Sequence, residues 1–268
     1  MTTISLDQLT VCGVRPAELV EIAARAGYGA ISPFLNGSPE LFAIPLRAGD
    51  PDTIEMKRRL KETGVFINNA DGFALFNETA MENLHAGIAL MAEMEARAIV
   101  ALQFDSDDVR GFDHFCQLNE WAQDAGLPLL LDFTPLSKVA SLNDALTYRT
   151  RAGEKNIAIL VDLFHLHQSG GTPADLAAID PAIIRGAQLC DGPRHMDAKE
   201  YFRRALFERM IPGEGEMPVR EFLAALPRDV IYGIEAPLRS LEERGVGDLE
   251  RASRLIAAAR ALQPKDRS

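Results

Sequence analysis

The stretch "AILVDLFHLHQSGG", residues 158–171, begins as an apolar run and then turns abruptly polar. Its first part has the composition of a strand that is buried on both faces, where an unpaired carboxylate is costly. We therefore expect Asp162 at the end of this strand, facing an open mouth, rather than in its middle. The alternative interpretation is that Asp162 only caps the helix that follows.

Seven other short apolar runs resemble this one, and longer amphipathic stretches separate them. With residues 157–164, the predicted strands are 3–11, 28–35, 64–72, 97–104, 127–133, 185–191 and 230–237. Three of the helical stretches, 16–27, 53–64 and 112–126, end on a glycine suited to a helix C-cap. Strands that alternate with helices indicate parallel βαβ units.

Eight such units in 268 residues predict an α/β fold, a single (β/α)8 TIM barrel spanning residues 1–268 as one domain. A doubly wound open sheet would need a glycine-rich phosphate loop after the first strand, and "TVCGVRPAE" (10–18) is not one.

Composition narrows the function classes. The chain carries 28 Lys and Arg against 39 Asp and Glu, a net charge of −11, so no nucleic-acid partner is expected. No apolar stretch is long enough to span a membrane, and no basic leader precedes the first strand. Three well-separated cysteines fit a reducing compartment. We expect a cytoplasmic protein that acts on a small molecule, alone or as a homodimer.

Oxygen-bearing side chains lie near the ends of four successive predicted strands: Asp132, Asp162, Gln188 and Glu235. The carboxyl ends of barrel strands meet at one mouth, so these groups are expected to converge there. Converging carboxylates repel one another unless a cation lies between them. An all-oxygen set favours Mg²⁺ or Mn²⁺ over Zn²⁺. The alternative is four independent helix caps or loop charges.

Several segments resemble the xylose isomerase-like TIM barrels, also called sugar phosphate isomerases/epimerases. They are "LLLDFTP" (129–135), "VDLFHLHQSGGTPADL" (161–176), "AQLCDGP" (187–193), "ERMIPGEGEMP" (208–218) and "YGIEAP" (232–237). The resemblance implies a divalent metal on the same four residues. Gln188 matches the hydroxypyruvate isomerase and 3-dehydroshikimate dehydratase branches, whereas ketose 3-epimerases usually carry histidine there. Asp132 stands where the family usually has glutamate.

Catalytic roles are predicted for Glu235, His165 and Asp132. A free oxygen of Glu235 can take a proton, and His165 lies three residues beyond Asp162, a spacing suited to moving a proton or holding a hydroxyl. Asp132 is one methylene shorter than the family's glutamate, which often doubles as acid or base. The alternatives are a structural charge and a loop histidine.

Substrate binding is predicted for Arg209, Glu214 and His195. Arg209 can hold a carboxylate or phosphate through two hydrogen bonds, or form only a salt bridge at a helix end. Glu214, between two glycines, is expected to anchor its loop or to contact substrate, and His195 precedes it in the same insert.

The expected function is a metal-dependent isomerase, epimerase or dehydratase. Its substrate would be a small polyhydroxylated carbonyl compound, a sugar or a keto or hydroxy acid. The reaction would proceed by removal of the proton alpha to the carbonyl through a metal-stabilised enediolate. The alternative is a non-catalytic TIM barrel that binds a metabolite, which the substitution at Asp132 favours.

Overall fold

Short strands alternate with helices along the chain, as the sequence pattern predicts. The computed structural model describes residues 3–36 and 44–264. The strands are β1 (Ile4–Asp7), β2 (Ala30–Ser32), β3 (Phe66–Ile67), β4 (Ala70–Leu75), β5 (Ile99–Gln103), β6 (Leu129–Leu131), β7 (Ile157–Asp162), β8 (Ile184–Leu189) and β9 (Tyr232–Ile234).

The helices lie between these strands. They are α1 (Pro16–Ala26), α2 (Pro51–Thr63), α3 (Met81–Glu93), α4 (Asp108–Asp124), α5 (Leu142–Arg151), α6 (Leu163–Gln168), α7 (Pro173–Ala177), α8 (Ala198–Phe207), α9 (Val219–Ala225), α10 (Arg239–Glu243) and α11 (Asp248–Leu262), with 3-10 turns at Gln8–Val11 and Pro181–Ile183. Among the described helices, none is long and apolar enough to cross a membrane.

The strands form one parallel sheet in the order β3-β2-β1-β9-β8-β7-β6-β5-β4. Its two edge strands, β3 and β4, are consecutive in sequence and are separated only by residues 68–69. Backbone hydrogen bonds cross this gap on both sides: Asp71 donates to the Pro33 carbonyl at 2.9 Å, and Arg97 donates to the Ile67 carbonyl at 3.2 Å. The sheet therefore closes into a TIM barrel. The predicted third strand is interrupted and forms two short strands, β3 and β4.

The strands are apolar because the barrel buries both of their faces. All six residues of β7, including Asp162 at its last position, are buried. The helices cover the outside, with α1 packed against both α2 and α11, so the first and last helices are neighbours. The glycines predicted to end three helices, Gly27, Gly64 and Gly126, all adopt positive φ angles.

Candidate functional site

A cavity of about 480 Å³ opens at the carboxyl ends of the strands. Five of the predicted site residues line it: Asp132, His165, Gln188, Arg209 and Glu235. Asp162, the remaining predicted metal ligand, is fully buried and contacts two of these lining residues. The cavity therefore lies at the end of the barrel where TIM-barrel enzymes carry their active sites.

A second hollow, of about 590 Å³, lies at the opposite end of the barrel. It is lined by residues at or near the starts of strands, such as Ala98, Leu130 and Ile184. None of the predicted site residues lines it. We therefore take the smaller cavity as the candidate site.

Asp162 ends β7 and also caps the next helix. Its Oδ1 accepts a hydrogen bond from the Phe164 amide at 2.8 Å, so the carboxylate satisfies one of the free N–H groups at the start of α6. The helix-cap interpretation is thus correct for one oxygen. The other oxygen, Oδ2, contacts Arg209 and His165, which line the cavity, while Asp162 itself is enclosed behind them.

Arg209 lies between two of the predicted metal ligands. Its Nη1 donates to Asp162 Oδ2 at 2.7 Å, and its Nη2 lies 2.8 Å from Glu235 Oε2. The side chain is fully buried, and its Nε donates to the Ala205 carbonyl at 3.1 Å. Burial alone would raise the pKa of Asp162, but Arg209 and His165 hold it below its usual value. The predicted anion-binding arginine is therefore already paired with two carboxylates of the protein.

His165 is fixed by a hydrogen-bond chain. Its Nδ1 lies 2.7 Å from the Tyr201 hydroxyl, which in turn lies 2.7 Å from the Thr134 hydroxyl. Its other ring nitrogen, Nε2, lies 3.5 Å from Asp162 Oδ2. Burial lowers the pKa of His165 to about 4, so the imidazole is neutral at physiological pH.

Gln188 links two carboxylates on the other side of the site. Its amide nitrogen donates to Asp7 Oδ2 at 3.0 Å and to Glu235 Oε1 at 3.1 Å. Glu235 thus pairs with Arg209 through Oε2 and accepts a hydrogen bond from Gln188 through Oε1. This places Glu235 at the centre of the polar network.

An acidic triad, Asp7, Asp71 and Glu235, is buried beside Gln188, with ligand oxygens all within 4.8 Å of one another. Burial raises the pKa of Asp7 to about 6, and raises the pKa of Asp71 and Glu235 well above the usual carboxylate range. Asp7 Oδ1 is buried without a hydrogen-bond partner in the described chain. The space for Asp7 depends on Gly233, because a Cβ there would lie 2.1 Å from that oxygen.

Asp132 is buried near Asp162 but does not share its partners. Its Oδ1 accepts from the amide of Phe133 at 2.7 Å. Burial raises the pKa of Asp132 well above its usual value, and the charge of Asp162 adds to the effect. A carboxylate in this environment favours the protonated form unless a cation is near.

These residues fit a hard divalent cation. The donors are oxygens, one of them lacks a partner, and two buried carboxylates, Asp162 and Glu235, share a single guanidinium. The predicted ligand set is Asp132, Asp162, Gln188 and Glu235, whereas the described acids with ligand oxygens close to one another are those of the acidic triad. Glu235 belongs to both sets, so the metal assignment made from sequence stays a prediction.

Two predicted substrate-binding residues do not reach the cavity. Glu214 and His195 are both exposed, and neither belongs to the cavity lining. The loop that contains Glu214 is anchored instead by Asp191, whose Oδ2 accepts from the Gly213 amide and whose Oδ1 accepts from the Met217 amide.

Sequence reasoning missed Asp7 and Tyr201. Asp7 ends β1 on a carboxylate, the same signal that identified Asp162, so it was available in the sequence. Tyr201 lies on α8, 36 positions from His165, and no local spacing connects the two residues.

Comparison with known proteins supports the fold. The model of the xylose isomerase-like TIM-barrel family matches residues 20–262. No curated protein matches the sequence.

Solved structures with the same fold share little sequence with the chain. An IolI protein with a bound zinc atom is 14% identical, with a TM-score of 0.74 and 98% of each chain covered. A D-allulose 3-epimerase from Methylomonas sp. is 13% identical (TM-score 0.72; 97% of this chain and 98% of that chain). The probable 3-DHS dehydratase AsbF from Bacillus anthracis is also 13% identical (TM-score 0.72; 95% and 98%).

Proposed function

Since the chain belongs to the xylose isomerase-like TIM-barrel family, we propose that it is a metal-dependent isomerase, epimerase or dehydratase acting on a small polyhydroxylated carbonyl compound, a sugar or a keto or hydroxy acid. The observation that carries this proposal is the convergence of buried acids, one neutral histidine and one arginine in a single cavity at the strand ends.

The geometry supports proton removal next to a carbonyl. His165 lines the cavity as a neutral imidazole held in one orientation by Tyr201, so it is placed to hold a substrate hydroxyl or to take part in proton transfer. Glu235 lies across the same cavity and lines it with a carboxylate whose pKa is raised. Two groups of this kind allow a proton to leave one position and to be delivered to another, as isomerisation, epimerisation and dehydration all require.

A divalent ion, Mg²⁺ or Mn²⁺, held by Glu235 and Gln188 with aspartates beside them, would polarise the substrate carbonyl. Arg209 pairs with both Asp162 and Glu235. It helps to hold the pKa of Asp162 below its usual value, whereas burial leaves the pKa of Glu235 raised. Asp162 positions α6, the helix that carries His165.

One experiment tests this proposal without knowledge of the substrate. Candidate keto-sugars and hydroxy-ketones are incubated with the purified protein and Mg²⁺ in D₂O, and ¹H NMR follows the signal of the carbon-bound proton alpha to the carbonyl. We expect loss of that signal for at least one compound, and loss of the activity in His165→Ala. Absence of deuterium exchange for every compound tested would contradict the proposed catalytic function.

The second candidate is a non-catalytic barrel that binds a metabolite. The short Asp132 side chain favours it, because its Oδ1 already bonds to the neighbouring Phe133 amide. Saturable binding of a hydroxy-ketone by calorimetry, without deuterium exchange, would support this alternative.

A further inference from the structure

The cavity has an apolar side as well as a charged one. Many of its apolar side chains come from β4, β5 and the segments that follow the strands, and others from α3 and α8; they include Leu9, Phe34, Phe76, Leu102, Phe104 and Leu136. A volume of about 480 Å³ lies within the range of sites for drug-sized ligands. The acids, His165 and Arg209 occupy only part of this lining.

Phe76 and Phe104 form the flattest part of the apolar side. Their rings stack with centroids 5.0 Å apart and planes 6° from parallel. Phe76 nevertheless exposes 53% of its surface, and Leu136 exposes 42%. Large apolar side chains exposed beside a concave site mark a place where an apolar ligand group is bound.

Three of the polar side chains on this side of the cavity are already hydrogen-bonded within the protein, and a fourth, Asn83, is exposed at its rim. Asn36 donates to a backbone carbonyl, Thr79 accepts from the Phe76 amide, and the Thr134 hydroxyl is shared with Tyr201. A substrate hydroxyl placed here would lose its water and find these partners occupied, which is unfavourable. The hydroxyl groups of a ligand are therefore favoured more at the charged side than beside the apolar side chains.

Given the proposed function, we infer that the substrate carries a flat apolar ring next to its carbonyl and hydroxyl groups, and that the ring lies against Phe76, Phe104 and Leu136. The reacting end then faces His165 and Glu235, while the ring fills the wider apolar side. The substrate class is thus a ring-bearing hydroxy-ketone or keto acid rather than an open-chain sugar.

Isothermal titration calorimetry in the presence of Mn²⁺ tests the inference with three ligands. These are 1-hydroxy-3-phenylpropan-2-one, hydroxyacetone, which lacks the ring, and the open-chain sugar ribulose. We expect the phenyl compound to bind about tenfold more tightly than hydroxyacetone, since ring burial and an aromatic contact both contribute. Phe76→Ala should remove most of that preference. Phe202→Ala is the matched control, because Phe202 is equally exposed, at 50%, and does not line the cavity.

The outcomes separate this inference from the proposed function. Equal affinity for the phenyl compound and hydroxyacetone would overturn the inference, as would tighter binding of ribulose; either result, accompanied by alpha-proton exchange, leaves the proposed function standing. A ring preference that survives in both Phe76→Ala and Phe104→Ala would also overturn it. A ring preference without exchange of any compound would support the apolar subsite and count against the catalytic proposal.

Discussion

Asp162 and Arg209 form an ion pair enclosed by the protein. Arg209 Nη1 lies 2.7 Å from Asp162 Oδ2, and the two side chains expose 0% and 1% of their surfaces. The guanidinium also pairs with Glu235, so a single cation supports two of the acids at the mouth. The polar network is therefore sensitive to the loss of this one side chain.

Removal of Arg209 should destabilise the fold. Arg209→Met leaves Asp162 as an uncompensated buried charge, and we expect a loss of about 3–5 kcal/mol in the free energy of unfolding. Urea unfolding at neutral pH measures it. Arg204→Met, which removes a partly exposed pair with Glu200 on the same helix, is the control and should cost less than about 1 kcal/mol. Similar losses of unfolding free energy in both variants would show that the enclosed ion pair contributes no more to stability than the partly exposed one.

His165→Ala should impair catalysis without loss of metal. A positioned general acid or base is worth about 10²–10⁴ in rate, so kcat should fall by that order. Metal content, measured by elemental analysis, should stay near that of the wild type. The control is His167→Ala on the same helix, whose ring bonds to the Arg194 carbonyl outside the cavity lining. Loss of metal from His165→Ala would make His165 a ligand or its support.

Glu235→Gln should abolish turnover and lower the affinity for Mn²⁺ at least about tenfold, since Glu235 belongs to both available ligand sets. Titration calorimetry with Mn²⁺ and circular dichroism report affinity and fold. Glu243→Gln, at an exposed glutamate paired with Arg239, should change neither property. Retained activity in Glu235→Gln would remove this residue from the mechanism.

Asp7 should make the metal-free protein less stable as the pH rises. Its folded-state pKa of about 6 lies above the ~3.9 of an unfolded aspartate, so folding favours the protonated form. The stability that protonated Asp7 contributes to the folded state is fully present below about pH 4 and is lost as the pH rises through about 6. Asp7→Asn has no titrating group at this position. Relative to the wild type, its free energy of unfolding should therefore increase by about 3 kcal/mol between about pH 4 and pH 8.

Urea unfolding in the presence of a chelator, repeated across this range, measures the difference between the two proteins. A constant difference between Asp7→Asn and the wild type would mean that Asp7 is ionised at all these pH values.

The strand ends were predictable because burial on both faces leaves a clear mark in sequence. An apolar run that stops on a carboxylate, as at Asp162, locates both the strand and the mouth of the barrel. The same rule places Glu235 and Gln188 in the cavity lining, where the structure has them.

Contacts between distant elements were not predictable in this way. The hydroxyl of Tyr201 meets His165 because α8 packs over the mouth, and no periodicity encodes that packing. The prediction of one strand over residues 64–72 did not separate β3 from β4, although two asparagines, Asn68 and Asn69, lie between them. Glu214 and His195 have suitable chemistry, but their insert holds them at the surface.

Asp7 and Gly233 have a consequence for reading other sequences. Because a Cβ at position 233 would overlap the carboxylate of Asp7, the aspartate and the glycine form a pair that must change together. A related chain that carries any side chain on the β9 counterpart of Gly233 cannot keep the aspartate in this orientation. Two residues more than 200 positions apart in sequence are thus coupled by a single contact in the barrel interior.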